Sequence, residues 1–172
     1  MGYDMYLRLL EEAVLTQQGK PIPKRTDCAA NLTVAASIPD RYVPSAEQRM
    51  DLYRRIAAVR CEEDADDLVD ELIDRYGEPP RPVNNLVSVA LLRAAAAQAG
   101  ITEIDQRDGT LILTIPEFDL QRVADLSGME KYQKRLVFSA TGKKPCLNLK
   151  LGRTEDPLRA ARTLVSDYAG ER

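Results

Sequence analysis

Acidic residues at helical spacing are the part of this chain whose types and positions come closest to a chemical site. Between Glu62 and Asp74 there are eight acidic residues and no basic one. Such carboxylates could hold Mg²⁺ for phosphoryl chemistry, bind a basic protein partner, or form only a solvated surface. The four that a helix would carry opposite its apolar stripe are Asp67, Asp70, Glu71 and Asp74.

The sequence favours partner binding over metal binding for this acidic segment. No apolar residues surround the four carboxylates to exclude water from a metal, and no second acidic cluster faces them. A dense patch of one sign attracts partners of the opposite sign. We therefore predict that these four are partner-binding residues, and that the chain has no catalytic, cofactor-binding or metal-binding residue.

The composition lacks the residues that most often carry out catalysis. The chain contains no histidine, which is the commonest general acid or base and a common metal ligand. The three cysteines, Cys28, Cys61 and Cys146, lack metal-ligand spacing and are typical of reduced thiols in a cytoplasmic protein. The segment that most resembles a phosphate-binding loop ends at Gly142-Lys143-Lys144. It lacks the first glycine of that motif and the hydroxyl that binds Mg²⁺. We predict that the chain is not an enzyme.

Length and charge predict a globular domain with an uneven charge distribution. The 172 residues are 44% hydrophobic and 30% charged, with a net charge of −3, and no apolar run approaches the ~18 residues that cross a membrane. From Lys131 onward there are ten Lys or Arg against four acids. Few aromatic residues lie among these cations, chiefly Tyr132 and Phe138, and bases would need more rings on which to stack, so we expect weak or no DNA contact. A DNA-contacting role for this basic third stays open as an alternative.

Helical periodicity dominates the first hundred residues. The alternation of Leu32, Val34 and Ala36 predicts a short strand, which ends at a turn over 38–43. Asp67 and its acidic neighbours lie opposite an apolar stripe that runs from Ala65 to Tyr76. The predicted helices are Tyr3–Gln17, Arg49–Arg60 with Ser45 as N-cap and Gln48 completing a capping box, the acidic helix ending at Gly77, and Pro82–Gln98.

Strand alternation and turn residues dominate the rest of the chain. A hairpin is predicted over Ile101–Ile115 with Asp108-Gly109 as its two-residue turn. The remaining predicted elements are a helix over Asp119–Glu130, strands at Leu136–Ser139 and Leu147–Leu151, and a last helix from Asp156-Pro157. We therefore predict an α+β fold of helices followed by a small, mostly antiparallel sheet with a C-terminal helix. Residues 1–26 would be an N-terminal helix and a proline-containing linker, and 27–172 a single regulatory domain.

The ordered motifs of this chain resemble a known family. They are Gly2-Tyr3-Asp4-Met5-Tyr6, Leu10-Glu11-Glu12-Ala13-Val14, Ile38-Pro39-Asp40-Arg41-Tyr42-Val43, the Tyr53-Arg54-Arg55-Ile56-Ala57 block and Glu71-Leu72-Ile73-Asp74-Arg75-Tyr76-Gly77. Together they resemble the last domain of the bacterial transcription-repair coupling factor, densely to about Ile104 and faintly after it. An opening helix without a cap also suggests a piece of a longer protein.

The resemblance implies a function in transcription-coupled nucleotide excision repair. The parent would be an ATP-dependent DNA translocase that displaces stalled RNA polymerase at DNA damage. Its C-terminal domain would be non-catalytic and autoinhibitory, docking on the N-terminal module and masking the surface that recruits UvrA. Glu71 and Asp74 match the acidic positions that take part in this contact. The alternative is that these two residues pair with Arg75 or Arg54 inside the domain and bind nothing.

Overall fold

The computed structural model describes residues 28–140 and 144–170. The predicted helix over Tyr3–Gln17 and the linker that follows it lie outside the described residues. The described residues form five α-helices and one five-stranded sheet, so the predicted α+β class is confirmed. None of these helices is long and apolar enough to cross a membrane.

The elements follow one another as a short strand, three helices, a hairpin, a helix, two strands and a last helix. They are β1 Ala29–Asn31, α1 Ala46–Ala57, α2 Glu62–Tyr76, α3 Arg81–Gln98, β2 Glu103–Arg107, β3 Thr110–Thr114, α4 Leu120–Ser127, a 3₁₀ turn Glu130–Tyr132, β4 Leu136–Ser139, β5 Cys146–Lys150 and α5 Pro157–Ala169. Among the described residues, 34–94 form one compact unit and 28–33 with 95–170 form another. The single domain over 27–172 stays a prediction.

The first unit is a helical unit with its own apolar core. Helix α1 begins after Ser45, whose hydroxyl accepts the Gln48 N–H at 3.3 Å, as the capping motif predicts. It ends at Ala57, three residues earlier than predicted; the Ala58 N–H caps the last turn, and Val59 beyond it is buried. The core residues are Ala36, Ile38, Val43, Leu52, Ile56, Val59, Ala65, Leu68, Leu72, Val83, Leu86, Val87 and Ala90.

The strand predicted over Leu32, Val34 and Ala36 is wrong, and the first strand lies earlier, at β1. The backbone of 32–36 finds hydrogen-bond partners outside a sheet ladder. The Thr33 N–H donates to the Gln106 side chain at 2.9 Å, and the Ala35 carbonyl accepts from the Asn85 side chain at 2.8 Å. Because side chains satisfy these groups, the segment needs no neighbouring strand.

The second unit is built on a mixed sheet with the order β1-β2-β3-β5-β4. Strand β1 is parallel to β2, and every other pair is antiparallel. The predicted hairpin between β2 and β3 is confirmed, with φ of 48° at Asp108 and 73° at Gly109, as a type I′ turn requires. One face of the sheet is buried through Ala30, Ile104, Leu111, Leu113, Leu147 and Leu149.

The helices of the second unit begin where local sequence signals predict, but α4 ends at Ser127, three residues before the predicted Glu130. Asp119 caps α4 by accepting the Gln121 and Arg122 N–H groups, and Asp156 caps α5 by accepting the Leu158 N–H. The apolar residues at helical spacing along α5 are all buried: Leu158, Ala161, Leu164, Val165 and Tyr168.

Candidate partner-binding site

The acidic helix α2 begins with carboxylates that suit a helix N-terminus. Three acidic residues occupy its first turn, where negative charge is favoured by the helix dipole. The Asp64 carboxylate accepts the Arg60 backbone N–H at 3.0 Å, and this hydrogen bond lowers the pKa of Asp64. The N-terminal acids therefore stabilise the helix itself, which separates them from the four residues predicted to bind a partner.

The apolar stripe of α2 is narrower than its sequence pattern predicts. Ala65, Leu68 and Leu72 are buried, whereas Val69 and Tyr76 are only partly buried. Ile73, which follows the same helical period, is 37% exposed. Ile73 lies about 100° around the helix from Leu72, which places it at the edge of the core contact rather than within it.

The C-terminal end of α2 is held by the turn that precedes α1. Gly77 ends the helix with φ of 84°, and the Tyr42 hydroxyl donates to its carbonyl at 2.8 Å. The rings of Tyr42 and Tyr76 lie 5.7 Å apart, and the Arg75 guanidinium lies 5.2 Å from the Tyr76 ring. The Tyr76 hydroxyl donates to the Gln48 side chain at 3.0 Å. These contacts join two motifs that are distant in sequence and give the helix end a defined position.

Glu71 is bound inside the first unit. The Arg55 guanidinium donates to both of its carboxylate oxygens, with 2.9 Å between Nη1 and Oε1. Arg75, one turn later on α2, approaches the same Oε1 at 3.6 Å. The hydrogen bond from Arg55 lowers the pKa of Glu71, and the same bond raises the pKa of Arg55. Of the intramolecular partners expected for Glu71, Arg75 is therefore found, while Arg55 takes the place of the exposed Arg54.

The other three predicted residues form a separate group, which we call the outer aspartates: Asp67, Asp70 and Asp74. All three are exposed. None makes a hydrogen bond or ion pair with another residue in 28–140 or 144–170. The structure thus divides the predicted site into one carboxylate that two arginines hold and three that face solvent.

The described residues do not support the metal-binding alternative. Across 28–140 and 144–170, no group of three or more His, Cys, Asp or Glu side chains could hold a metal ion. Cys28 is buried, Cys61 is exposed and Cys146 is half-buried, and none of the three forms a disulfide. The described carboxylates of α2 can form ionic contacts with positively charged groups, as Glu71 does with Arg55.

Sequence reasoning missed Arg55 as a member of this site. Arg55 precedes Glu71 by sixteen residues, so no spacing rule within one helix relates the two. The available signal was that α1 carries basic residues in its last turn while α2 carries acids. That signal shows opposite charges on consecutive helices, but it does not say which arginine meets which carboxylate.

Comparison with known proteins assigns the chain to a family. The family model of the TRCF domain matches residues 32–126, which is more than half of the chain and includes both α1 and α2. The chain belongs to the TRCF domain family. The transcription-repair-coupling factor of Myxococcus xanthus is 35% identical over 115 residues, covering 67% of this chain, and that of Bacillus subtilis is 29% identical over 163 residues, covering 91%.

The match to TRCF proteins is restricted to a small part of each relative. It covers 10% of the Myxococcus protein, 14% of the Bacillus protein and 12% of the one from Escherichia coli. The crystal structure of a C-terminal domain of transcription-repair coupling factor superposes with a TM-score of 0.69 at 20% identity. The superposition covers 85% of this chain and 95% of that domain, so the fold is that of a TRCF C-terminal domain.

Proposed function

We propose that this TRCF domain is a non-catalytic regulatory domain that docks through α2 on the N-terminal module of its parent protein. In the docked state it masks the surface that recruits UvrA, and so keeps the parent inactive in repair until the parent engages RNA polymerase. A role of this kind belongs to the bacterial cytoplasm, where free thiols stay reduced.

The exposure of the outer aspartates is the observation that carries the proposal. Their charges are not neutralised by any described residue, so they are available to basic groups on another protein. Dense charge of one sign speeds association and orients the partner. Beside them, Glu71 is already held by Arg55 and Arg75, so it would meet a partner with little loss of side-chain freedom.

An ionic interface of this kind can be tight and still be released. Removing one partner of a buried, hydrogen-bonded charge pair costs roughly 2–5 kcal/mol, because the other charge is left without a partner. Engagement of DNA and RNA polymerase by the parent would then shift the population toward an undocked form. The salt sensitivity of exposed charges predicts that docking weakens as ionic strength rises.

Titration of this chain against the purified N-terminal module of its parent tests the proposal. We expect saturable binding that weakens with salt and is lost in Asp74→Arg. The matched control is Glu117→Arg, because Glu117 is an exposed acid in the second unit with no hydrogen bond or ion pair to a described residue. Equal loss of binding in both variants would mean that the loss follows from the change in net charge alone, and it would contradict docking through α2.

A second experiment, in which the two parts are linked in one chain, distinguishes weak docking from no docking. Docking inside one protein benefits from a high effective concentration that a titration between separate pieces lacks. A chain that links the N-terminal module to this domain should therefore bind UvrA weakly, and its Asp74→Arg variant should bind UvrA more tightly. Equal UvrA binding by the two linked chains would overturn the masking role.

A further inference from the structure

The sheet of the second unit has one end that is rich in positive charge. Arg107 at the end of β2 pairs in register with Thr110 of β3, which in turn pairs with Lys150 of β5. Residues paired across neighbouring strands project from the same side of a sheet. Arg107 and Lys150 are both exposed, so their side chains extend on the side opposite the buried Leu111 and Leu149.

The connections at this end add three more cations. The Lys150 N–H donates to the Arg135 carbonyl at 2.9 Å, and the Arg135 side chain donates back to the Lys150 carbonyl at 3.1 Å. Lys134 directly precedes Arg135 in the chain. Arg153 lies just beyond β5, where the Leu151 N–H donates to the Gly109 carbonyl and holds the chain at this end of the sheet. We call this group of residues the basic end: Arg107, Lys134, Arg135, Lys150 and Arg153.

Most of the charge of the basic end is not neutralised. Only Arg135 has an ion-pair partner, Glu155. The other four cations are exposed, and their side chains make no hydrogen bond or ion pair with residues 28–140 or 144–170. Counted against Glu155 and the turn residue Asp108, the five cations leave an excess of three positive charges among these seven residues. This excess arises in a chain whose net charge is −3, which makes it a local feature.

We propose that the basic end binds the phosphate backbone of duplex DNA. Strands in a sheet lie about 4.8 Å apart, so Arg107 and Lys150, two strands apart, are separated by roughly 10 Å at the backbone. Over that length one strand of a duplex presents about three phosphates. Four unpaired, flexible cations can reach several phosphates at once, which gives binding without sequence preference.

Duplex fits the basic end better than single-stranded nucleic acid. Proteins that bind single strands without sequence preference provide exposed aromatic rings on which bases stack. Here Tyr132, next to the basic end in sequence, is buried and donates its hydroxyl to Asp167. The Phe138 ring packs against the Phe118 ring at 4.7 Å. Contact at the basic end is therefore with the backbone, and it does not depend on the docking proposed for α2.

Fluorescence anisotropy of the full chain with a labelled duplex tests this proposal through its salt dependence. Each phosphate contact contributes about −0.9 to the slope of log K against log salt. Four contacts predict a slope near −3.6 and a loss of affinity of about 150-fold between ~50 and ~200 mM salt. The double variant Arg107→Glu with Lys150→Glu should lose binding, and Lys134→Gln with Arg153→Gln should show about half the slope.

The control changes the same net charge elsewhere in the chain. Arg41→Glu with Arg81→Glu reverses two exposed cations of the first unit, and it should bind duplex far better than the double variant at Arg107 and Lys150. Circular dichroism verifies that each variant is folded, and the two Gln substitutions give an independent test if charge reversal disturbs the sheet.

Four results would overturn the proposal, and the last concerns the choice of duplex. The first is no binding of wild-type protein to duplex at low salt. The second is equal loss of affinity in the control and in the double variant at Arg107 and Lys150. The third is equal or tighter binding of polyglutamate, which would assign the basic end to an acidic protein instead of DNA. Tighter binding of a single strand than of the duplex would contradict the choice of duplex.

Discussion

Arg55 of α1 donates to both carboxylate oxygens of Glu71 on α2. The pair joins two consecutive helices at a position where the sequence alone indicates only acids on one helix and bases on the other. It also separates Glu71 from the outer aspartates, although all four carboxylates lie within eight residues. The separation predicts different consequences for equivalent substitutions, since Glu71 has a structural partner and Asp74 has none among the described residues.

Charge reversal at Glu71 should destabilise the first unit, whereas reversal at Asp74 should not. Glu71→Arg places a third guanidinium beside those of Arg55 and Arg75, which repel it. Asp74→Arg changes an exposed side chain and should stay within about 0.5 kcal/mol of wild type. Urea unfolding should give a lower midpoint for Glu71→Arg than for Asp74→Arg. Equal midpoints would mean that the Arg55 pair contributes nothing to stability.

The Arg55–Glu71 pair predicts a pH-dependent contribution to stability. The pKa of Glu71 is held below its ordinary value of 4.5, chiefly by the hydrogen bond from Arg55. A carboxyl whose pKa is lower in the folded state stabilises the fold above its ordinary pKa, and the contribution is lost as pH falls through the folded value. Wild type should therefore exceed Glu71→Gln in urea midpoint at neutral pH and approach it on acidification.

The control for this pH effect is a double variant. In an Arg55→Gln background, Glu71→Gln should change the neutral-pH midpoint less than it does in wild type, because the main cause of the lowered pKa is absent. A Glu71→Gln effect that is unchanged by removal of Arg55 would show that the two side chains are not coupled in solution.

Tyr42→Phe should loosen the end of α2. The substitution removes the hydroxyl that donates to the Gly77 carbonyl at 2.8 Å and to the Leu72 carbonyl at 3.4 Å. One hydrogen bond of this kind contributes about 0.5–1.5 kcal/mol. Tyr76→Phe removes only a hydroxyl bonded to the exposed Gln48 side chain, so it should cost less. Unfolding curves of the two variants check the order, and a larger cost for Tyr76→Phe would contradict it.

Gly77→Ala should destabilise the domain, while Gly128→Ala should not. Gly77 has φ of 84° and ψ of −170°, a region that side chains rarely adopt, at a cost of about 1–3 kcal/mol. No atom lies within 4 Å of an added Cβ there, so the cost would come from the backbone alone. Gly128 is right-handed, with its nearest contact to an added Cβ at 3.5 Å, and alanine there should be neutral or stabilise by up to about 1 kcal/mol. Equal unfolding midpoints for the two variants would contradict the assigned strain.

Most helices and strands of this fold can be predicted from local features of the sequence. The hydroxyl of Ser45, the carboxylates of Asp119 and Asp156, and the glycine after Tyr76 act within a few residues of their own position, so their effects are predictable without tertiary contacts. The Asp108-Gly109 turn is likewise predictable, because its backbone requires residues that tolerate positive φ. The family assignment also follows from ordered motifs in the sequence.

Sequence-based predictions failed where the environment of a residue depends on groups that are distant in the chain. Ile73 fits the apolar period of α2, yet its exposure depends on how far the neighbouring core extends around that helix. The alternation at 32–36 resembles a strand, but side chains of Gln106 and Asn85 bind its backbone. The local sequence pattern indicates neither the exposure of Ile73 nor the hydrogen bonds of 32–36.

The sequence by itself determined the helix and strand periods, the caps, the family and the presence of an acidic segment, because each depends on residue type and short spacing. Only the tertiary structure decided that Arg55 binds Glu71, that the outer aspartates remain without described partners, and that Arg107 and Lys150 lie at the same end of a sheet. The physical reason is that ion pairing and strand register depend on distances between residues far apart in the chain, which spacing along one helix or strand does not specify.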